Sequence, residues 1–142
     1  MDVISKLKND VYNANMDLVK YDLVTLTWGN VSGVDRKSNK MVIKPSGVNY
    51  NELTPNHMVV VNLENESNES SLNPSSDSPT HAYLYNHFKD INGIAHSHSI
   101  FATIFAQACK EIPCLGTTHA DHFNGNIPIA RHLTKKEVNS KY

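Results

Sequence analysis

The sequence predicts a layered α/β fold with a mixed sheet. Three observations carry that expectation. Near the start, apolar residues recur at steps of three and four, the period of one helix face. Short β-branched runs bounded by Gly, Pro and Asn follow. In the second half such runs alternate, irregularly, with helix-length apolar segments, and no internal repeat is present. A length of 142 residues suits a single domain with one core, and needs no disulfide staple.

Taken in order, Ile4, Leu7, Val11, Ala14 and Leu18 mark the first helix. "LVTLTWGNVS" reads as a strand broken by a turn at Gly29-Asn30 and continuing as a second strand. "MVIKPSG" and "MVVVNL" predict two more strands, separated by a loop holding Pro55 and Asn56. The Asn-, Glu- and Ser-rich residues 62–78 read as a hairpin connection or exposed loop, too short to link two domains. Ser76, Asp77 and Ser78 are good N-caps and Pro79 suits a first helical turn. The helix they open has an imperfect apolar face of Ala82, Leu84, Tyr85 and Phe88. "INGIAHSHS" predicts a strand, "IFATIFAQAC" a helix, and "IPCLGTTHADHF" a strand running into a turn, whereas "NIPIARHL" stays unassigned. Thr134 and Glu137 are spaced as a capping box and announce one more helix.

Composition excludes several classes. A formal net charge of -1 gives no global field for nucleic acid or an anionic membrane. Two cysteines, Cys109 and Cys114, fit a reduced compartment better than a disulfide framework. The opening "MDVISKLKND" lacks the apolar core of a signal peptide, and "IFATIFAQA" is far too short to span a bilayer. These features predict a cytoplasmic protein. The oddity is histidine: eight in all, with His81, His87, His96, His98 and His119 inside 39 positions and His122 just beyond.

The candidate chemistry starts from "GIAHSHS". A strand alternates its side chains, so His96 and His98 would share a face and could form two corners of a metal site. The plainer reading is a polar strand face. A binuclear hydrolase would continue with Asp-His where this chain has "SIFATI", and an amidohydrolase barrel needs a much longer chain. "NPSSDSPTH" sets Ser75, Ser76 and Asp77 before a helix entry, either as an anion site or simply as a cap with turn residues. "WGNVS" and "KPSG" each close a β-like run in a small polar turn, at Gly29-Asn30 and Ser46-Gly47, where backbone donors can approach a ligand; Lys44 adds a charge. In "GTTHADHF", Asp121 is a plausible acid/base group beside His119 and His122, while the cysteines suit packing better than ligation. Together these pieces sketch a phosphate pocket beside a metal.

"LVTLTWGNVS", "VIKPSGV", "PSSDSPTH", "GIAHSHS", "ATIFAQA" and "GTTHAD", in that order, closely resemble the class II aldolase and epimerase family, and within it the epimerases of pentulose 5-phosphates. The resemblance runs from the first helix to Tyr142. It implies a three-layer α/β/α domain around a central mixed, largely antiparallel sheet, and a homotetramer with active sites at subunit interfaces. It implies a zinc cofactor and a phosphorylated pentulose substrate, with no role for nucleic acid or membrane. By position, His96, His98 and Asp77 match zinc ligands. Gly29, Asn30, Ser46, Gly47, Ser75 and Ser76 match the substrate and phosphate cradle, with Lys44 and Thr117 near the substrate. Asp121 matches a catalytic acid/base. The implied reaction interconverts L-ribulose 5-phosphate and D-xylulose 5-phosphate by retro-aldol cleavage and re-addition, in L-arabinose or related pentose catabolism. Asp77, where the related sugar-phosphate aldolases carry Glu, favours the epimerase branch over the aldolases. The family continues past the point where this chain ends, with a third zinc-ligating histidine and an acid/base tyrosine. Residues 1–142 are accordingly expected to be the N-terminal portion of one such domain, truncated, either an isomerase needing the remaining parts or a non-catalytic remnant.

Overall fold

The computed structural model describes residues 2–68 and 70–139. They fall into two compact units, a first up to Ser97 and a second from His98 onward. The first unit holds helix α1 (Val3–Lys20), strands β1 (Asn30–Asp35), β2 (Lys40–Ile43) and β3 (Val59–Asn62), helix α2 (Ser78–His87) and strand β4 (Gly93–His96). Two short 3-10 turns, Tyr50–Glu52 and Pro55–His57, separate β2 from β3. The second unit holds helices α3 (Ile100–Gln107), α4 (Thr117–His122) and α5 (Lys135–Val138).

The four strands form a sheet in the order β3-β2-β1-β4. A mixed, largely antiparallel sheet was expected; every pairing among these strands is antiparallel. Alternation along the strands then sorts residues onto two faces. Met41 and Ile43 join Val34, Val59, Val61 and Leu63 beneath Ala82 and Tyr85 of α2. Val42, between them, points the other way and packs with Val11 of α1, Tyr50, Leu53 and Met58. Helix on one face, sheet, helix on the other is the expected α/β/α layering. Each fully buried aliphatic here contributes on the order of 2 kcal/mol.

Both helices are fixed to the sheet by polar contacts as well as by apolar packing. Asp2 caps α1 by accepting from the Ser5 amide at 3.0 Å. Asn15, fully buried on α1, donates to the Val31 carbonyl at 3.1 Å and accepts from the Val31 amide at 2.9 Å. A side-chain amide thus replaces a strand partner at the start of β1 and holds the neighbouring Asn30 in place. At the far end of α2, the Arg36 guanidinium donates to the Tyr85 and Phe88 carbonyls at 2.7 and 2.9 Å, satisfying carbonyls that a helix end leaves open.

Several local expectations are corrected. Residues 23–28 are not a strand: Leu26 adopts φ 55°, a turn forms from Thr25 to Trp28, and the sheet begins only at Asn30. The carbonyls of Thr27, Trp28 and Gly29 bond to the side chains of Lys44 and Tyr50 rather than to a neighbouring strand. The buried face of α2 is Ser78, His81, Ala82 and Tyr85; Phe88 is exposed. β4 stops at His96, so His98 lies past the strand and the period-two argument for a shared face does not reach it. "TTHADH" forms the short helix α4 rather than a turn, and the expected strand before it is reduced to a single bridge, Ile112 to Ile127. Glu69, within the long loop, lies outside the described residues. The capping box at Thr134 is present and opens α5.

Candidate functional site

Antiparallel register places Asn30 of β1 directly opposite His96 of β4. Asn30 has the parity of Ser32, and His96 that of Ile94, so both point to the face that α2 covers. The N-terminal end of α2 delivers Asp77 between them. The Asn30 amide donates to Asp77 Oδ2 at 2.6 Å and to Ser75 Oγ at 3.1 Å. His96 Nδ1 meets the same carboxylate oxygen at 2.7 Å. Asp77 makes no side-chain cap bond to its helix, so the plain capping role is not what its carboxylate does. Two residues, 47 positions before Asp77 and 19 after it, thus converge on one of its oxygens.

The electrostatics follow from that geometry. Burial raises the Asp77 carboxyl, but the hydrogen bonds from His96 and Asn30 and the charges of His96 and His81 outweigh it, so the group is held below its ordinary value. With the carboxylate ionised, His96 donates to it from Nδ1. Asn30 is 2% exposed, and its Oδ1 is buried without a hydrogen-bond partner among the described residues. With its Nδ2 engaged, the atom it can offer a ligand is an acceptor, suited to a hydroxyl group.

The three small polar turns are neighbours. Ser46 donates from its amide to the Asn73 carbonyl at 2.9 Å, and Ser75 from its amide to the Lys44 carbonyl at 3.0 Å. Ser75 in turn reaches Asn30. Ser46, Gly47 and Ser76 are exposed along this rim. Gly29 is required twice over: it sits at φ 74°, and a side chain there would strike Val24 and come within 2.9 Å of the His96 carbonyl.

Lys44, expected near a substrate, is 1% exposed, and its ammonium donates to the carbonyls of Val48, Thr27 and Pro45 at 3.0, 3.2 and 3.3 Å. Burial lowers its pKa. His98, Thr117 and Asp121 belong to the second unit, where Thr117 and Asp121 lie one turn apart on α4 and both are exposed.

Sequence reasoning missed the layer beneath Asp77. His81, one helical turn on, is 2% exposed; its Nδ1 lies 2.8 Å from Ser32 Oγ, which lies 2.8 Å from the Tyr85 hydroxyl. Burial pushes His81 below its ordinary value, with the Asp77 charge opposing. The signals were present: Ser32 repeats Asn30 at the strand period, and His81 and Tyr85 repeat Asp77 at the helix period.

As to a metal, Asp77 and His96 bring a carboxylate and an imidazole into contact, and the carboxylate fixes the ring's tautomer as outer partners of metal-bound histidines do. These donor types fit a zinc-like cation. Among the described residues, no group of three or more His, Cys, Asp or Glu side chains is arranged to hold one.

The sequence profile described as Class II Aldolase and Adducin N-terminal domain matches residues 9–141. The chain belongs to that family. Among curated class II relatives, it is 50% identical over 139 residues to the L-ribulose-5-phosphate 4-epimerase UlaF of Salmonella paratyphi C, covering 98% of this chain and 61% of that protein. It is 52% identical over 141 residues to the probable L-ribulose-5-phosphate 4-epimerase UlaF of Mycoplasma pneumoniae, covering 99% and 58%. The chain therefore spans about three-fifths of the length of the curated relatives it matches. Among solved class II structures, an L-fuculose 1-phosphate aldolase superposes with a TM-score of 0.72 at 32% identity, over 77% of this chain and 51% of that one. The L-fuculose-1-phosphate aldolase of Thermus thermophilus, at 22% identity over 86% of this chain and 61% of that one, shares the fold with a TM-score of 0.71. The class II fold expected from the sequence is the one observed. No described helix is long and apolar enough to cross a membrane.

Proposed function

We propose that this chain carries the substrate- and metal-binding part of a zinc-dependent enzyme that interconverts L-ribulose 5-phosphate and D-xylulose 5-phosphate. The observation that carries the reading is the junction of Asn30, Asp77 and His96 on one carboxylate oxygen, in a chain half identical to proteins named L-ribulose-5-phosphate 4-epimerase. His96, with Asp77, would hold the cation, and His98 is the next donor on chain spacing alone. Zinc, when bound, would supply Lewis acidity to the ketone and its neighbouring hydroxyl.

The chain's own residues account for the rest. Ser46, Gly47, Ser75 and Ser76, with the Gly29-Asn30 turn, would hold the phosphate, and Asn30 Oδ1 would accept from a substrate hydroxyl. The hydrogen at C4 is not acidic, so inversion there proceeds by breaking the C3–C4 bond. The C4 hydroxyl loses its proton, for which Asp121 is the candidate base, and the bonding pair moves to the C3 side. The anchored phosphate keeps the aldehyde fragment in place while its carbonyl turns. Re-addition to the opposite face, with the proton returned to the C4 oxygen, gives the epimer. L-Arabinose or related pentose catabolism, a cytoplasmic location and a homotetramer belong to the same reading. The free Cys109 and Cys114 support the second of these, and the exposed Ile100, Phe101, Ile104 and Leu115 the third.

Aldol cleavage of a sugar phosphate is the competing reading, favoured by the superposition on L-fuculose 1-phosphate aldolase. The proposal is tested by incubating L-ribulose 5-phosphate with a zinc-loaded chimera, this chain joined to the C-terminal two-fifths of the Salmonella relative, followed by chromatography. D-Xylulose 5-phosphate formed by the chimera and lost in its His96→Ala variant supports it. Release of two free fragments would point to the aldolase instead, and an unchanged substrate would count against both.

A further inference from the structure

Tyr50 has no place in the site as described, yet it lies beneath it. Its hydroxyl donates to the Gly29 carbonyl at 2.9 Å and lies 3.3 Å from that of Trp28. Burial pushes the phenol up to about 12, so it stays a donor throughout the neutral range. The Lys44 ammonium sits 4.8 Å from the centre of the Tyr50 ring, within cation–π range. Lys44 has three ammonium hydrogens and three carbonyl partners, at Thr27, Pro45 and Val48. The buried pair therefore grips consecutive carbonyls of residues 27–29 and the two ends of the 45–48 turn at once.

We propose that Tyr50 is a positioning residue: through its hydroxyl and the Lys44 cation against its ring, it sets the separation of the Gly29-Asn30 and Ser46-Gly47 turns and thereby the affinity of the site for a phosphate group. The assignment rests on the phosphate reading given above. A trans peptide points its carbonyl and amide in opposite directions. Drawing the Trp28 and Gly29 carbonyls inward thus turns the Gly29 and Asn30 amides away from the buried pair. Residues 23–28 lack a strand's ladder, so these side-chain bonds join the Thr25–Trp28 turn and the packing of Val24 in fixing the approach to β1. Without the hydroxyl the Gly29 carbonyl is left buried and unpaired, and the turn must shift to find another donor.

The test uses the 142-residue chain, inorganic phosphate as the probe, and Trp28, the one tryptophan, as a fluorescent reporter beside the turn. Tyr50→Phe keeps the ring and the cation contact and removes only the hydroxyl. It is expected to melt cooperatively and to bind phosphate about tenfold more weakly. Its amide chemical-shift changes should concentrate in residues 27–30 and 45–48. Tyr50→4-aminophenylalanine, which keeps a donor at the para position, is expected to recover part of the affinity, a result that loss of stability alone would not give. If Tyr50→Phe melts non-cooperatively, Tyr50→4-aminophenylalanine binding phosphate more tightly than Tyr50→Phe supports the assignment, and binding as weakly as Tyr50→Phe overturns it. Ser76→Asp, which puts a carboxylate on the exposed rim, is the control for the cradle and should abolish binding. Tyr50→Phe binding within twofold of wild type, while Ser76→Asp fails, overturns the Tyr50 assignment alone. A wild type that binds no phosphate overturns the phosphate reading, and this assignment with it.

Discussion

Replacing Asn30 by Asp removes the amide that donates to Asp77 and substitutes an oxygen at the same distance, 2.6 Å from Asp77 Oδ2. The position is 2% exposed, so solvent cannot screen the new pair. Two carboxylates this close cannot both ionise; one takes a proton. Holding a proton at pH 7 on a group with an ordinary value near 3.8 takes about three units at 1.36 kcal/mol each, so the penalty is limited to about 4 kcal/mol. Once protonated, the new carboxyl can donate to Asp77 as the amide did. Asn30→Asp should therefore lose about 3–4 kcal/mol relative to wild type at pH 7. The difference should shrink by about 1.4 kcal/mol per pH unit and nearly vanish near pH 4. Urea unfolding followed by circular dichroism at pH 4, 5, 6 and 7 measures it. A difference that is small at pH 7, or constant with pH, would refute the claim that Asn30 donates to an ionised Asp77.

His81 is held below its ordinary value of 6.5 by burial, so below that pH the unfolded chain binds a proton the folded one refuses; stability should rise with pH up to about 6.5 and then level. His81→Gln should flatten that segment of the unfolding profile. Asp77, held below 3.8, contributes stability that is complete above that value and lost as pH falls through its folded value, and Asp77→Asn should remove this acid limb from the same profile. Gly29→Ala should cost about 3 kcal/mol, from a strained φ and collisions with Val24 and the His96 carbonyl. Gly47→Ala, at φ 71° with nothing within 4 Å of the added carbon, should cost only about 1 kcal/mol; thermal melts compare the two.

What the sequence showed in advance was what local chemistry controls. The face of α1, the β-branched run in "MVVVNL", and the capping box at Thr134 depend on residues a few positions apart, and all three elements are present. The failures have a common physical cause. Val24, Thr25 and Thr27 have the composition of a strand, but their segment is held by Lys44 and Tyr50 instead of by a ladder. Asp77 was visible as a candidate, while the contacts that distinguish it from a cap come from Asn30 and His96 in distant strands. His98 follows His96 at strand spacing, but β4 ends first, and nothing in "HSHS" marks that end. Ser32, His81 and Tyr85 carried the correct periods and were passed over because each has an ordinary packing role.

The most direct test follows C4 itself. L-Ribulose 5-phosphate labelled with carbon-13 at C4 is incubated in deuterated water with the same zinc-loaded chimera and followed by NMR. Cleavage and re-addition invert C4 without exchanging its hydrogen, so the account predicts D-xylulose 5-phosphate resonances in which C4 keeps its proton. Deuterium at C4, or a labelled fragment that accumulates in place of the epimer, would contradict it.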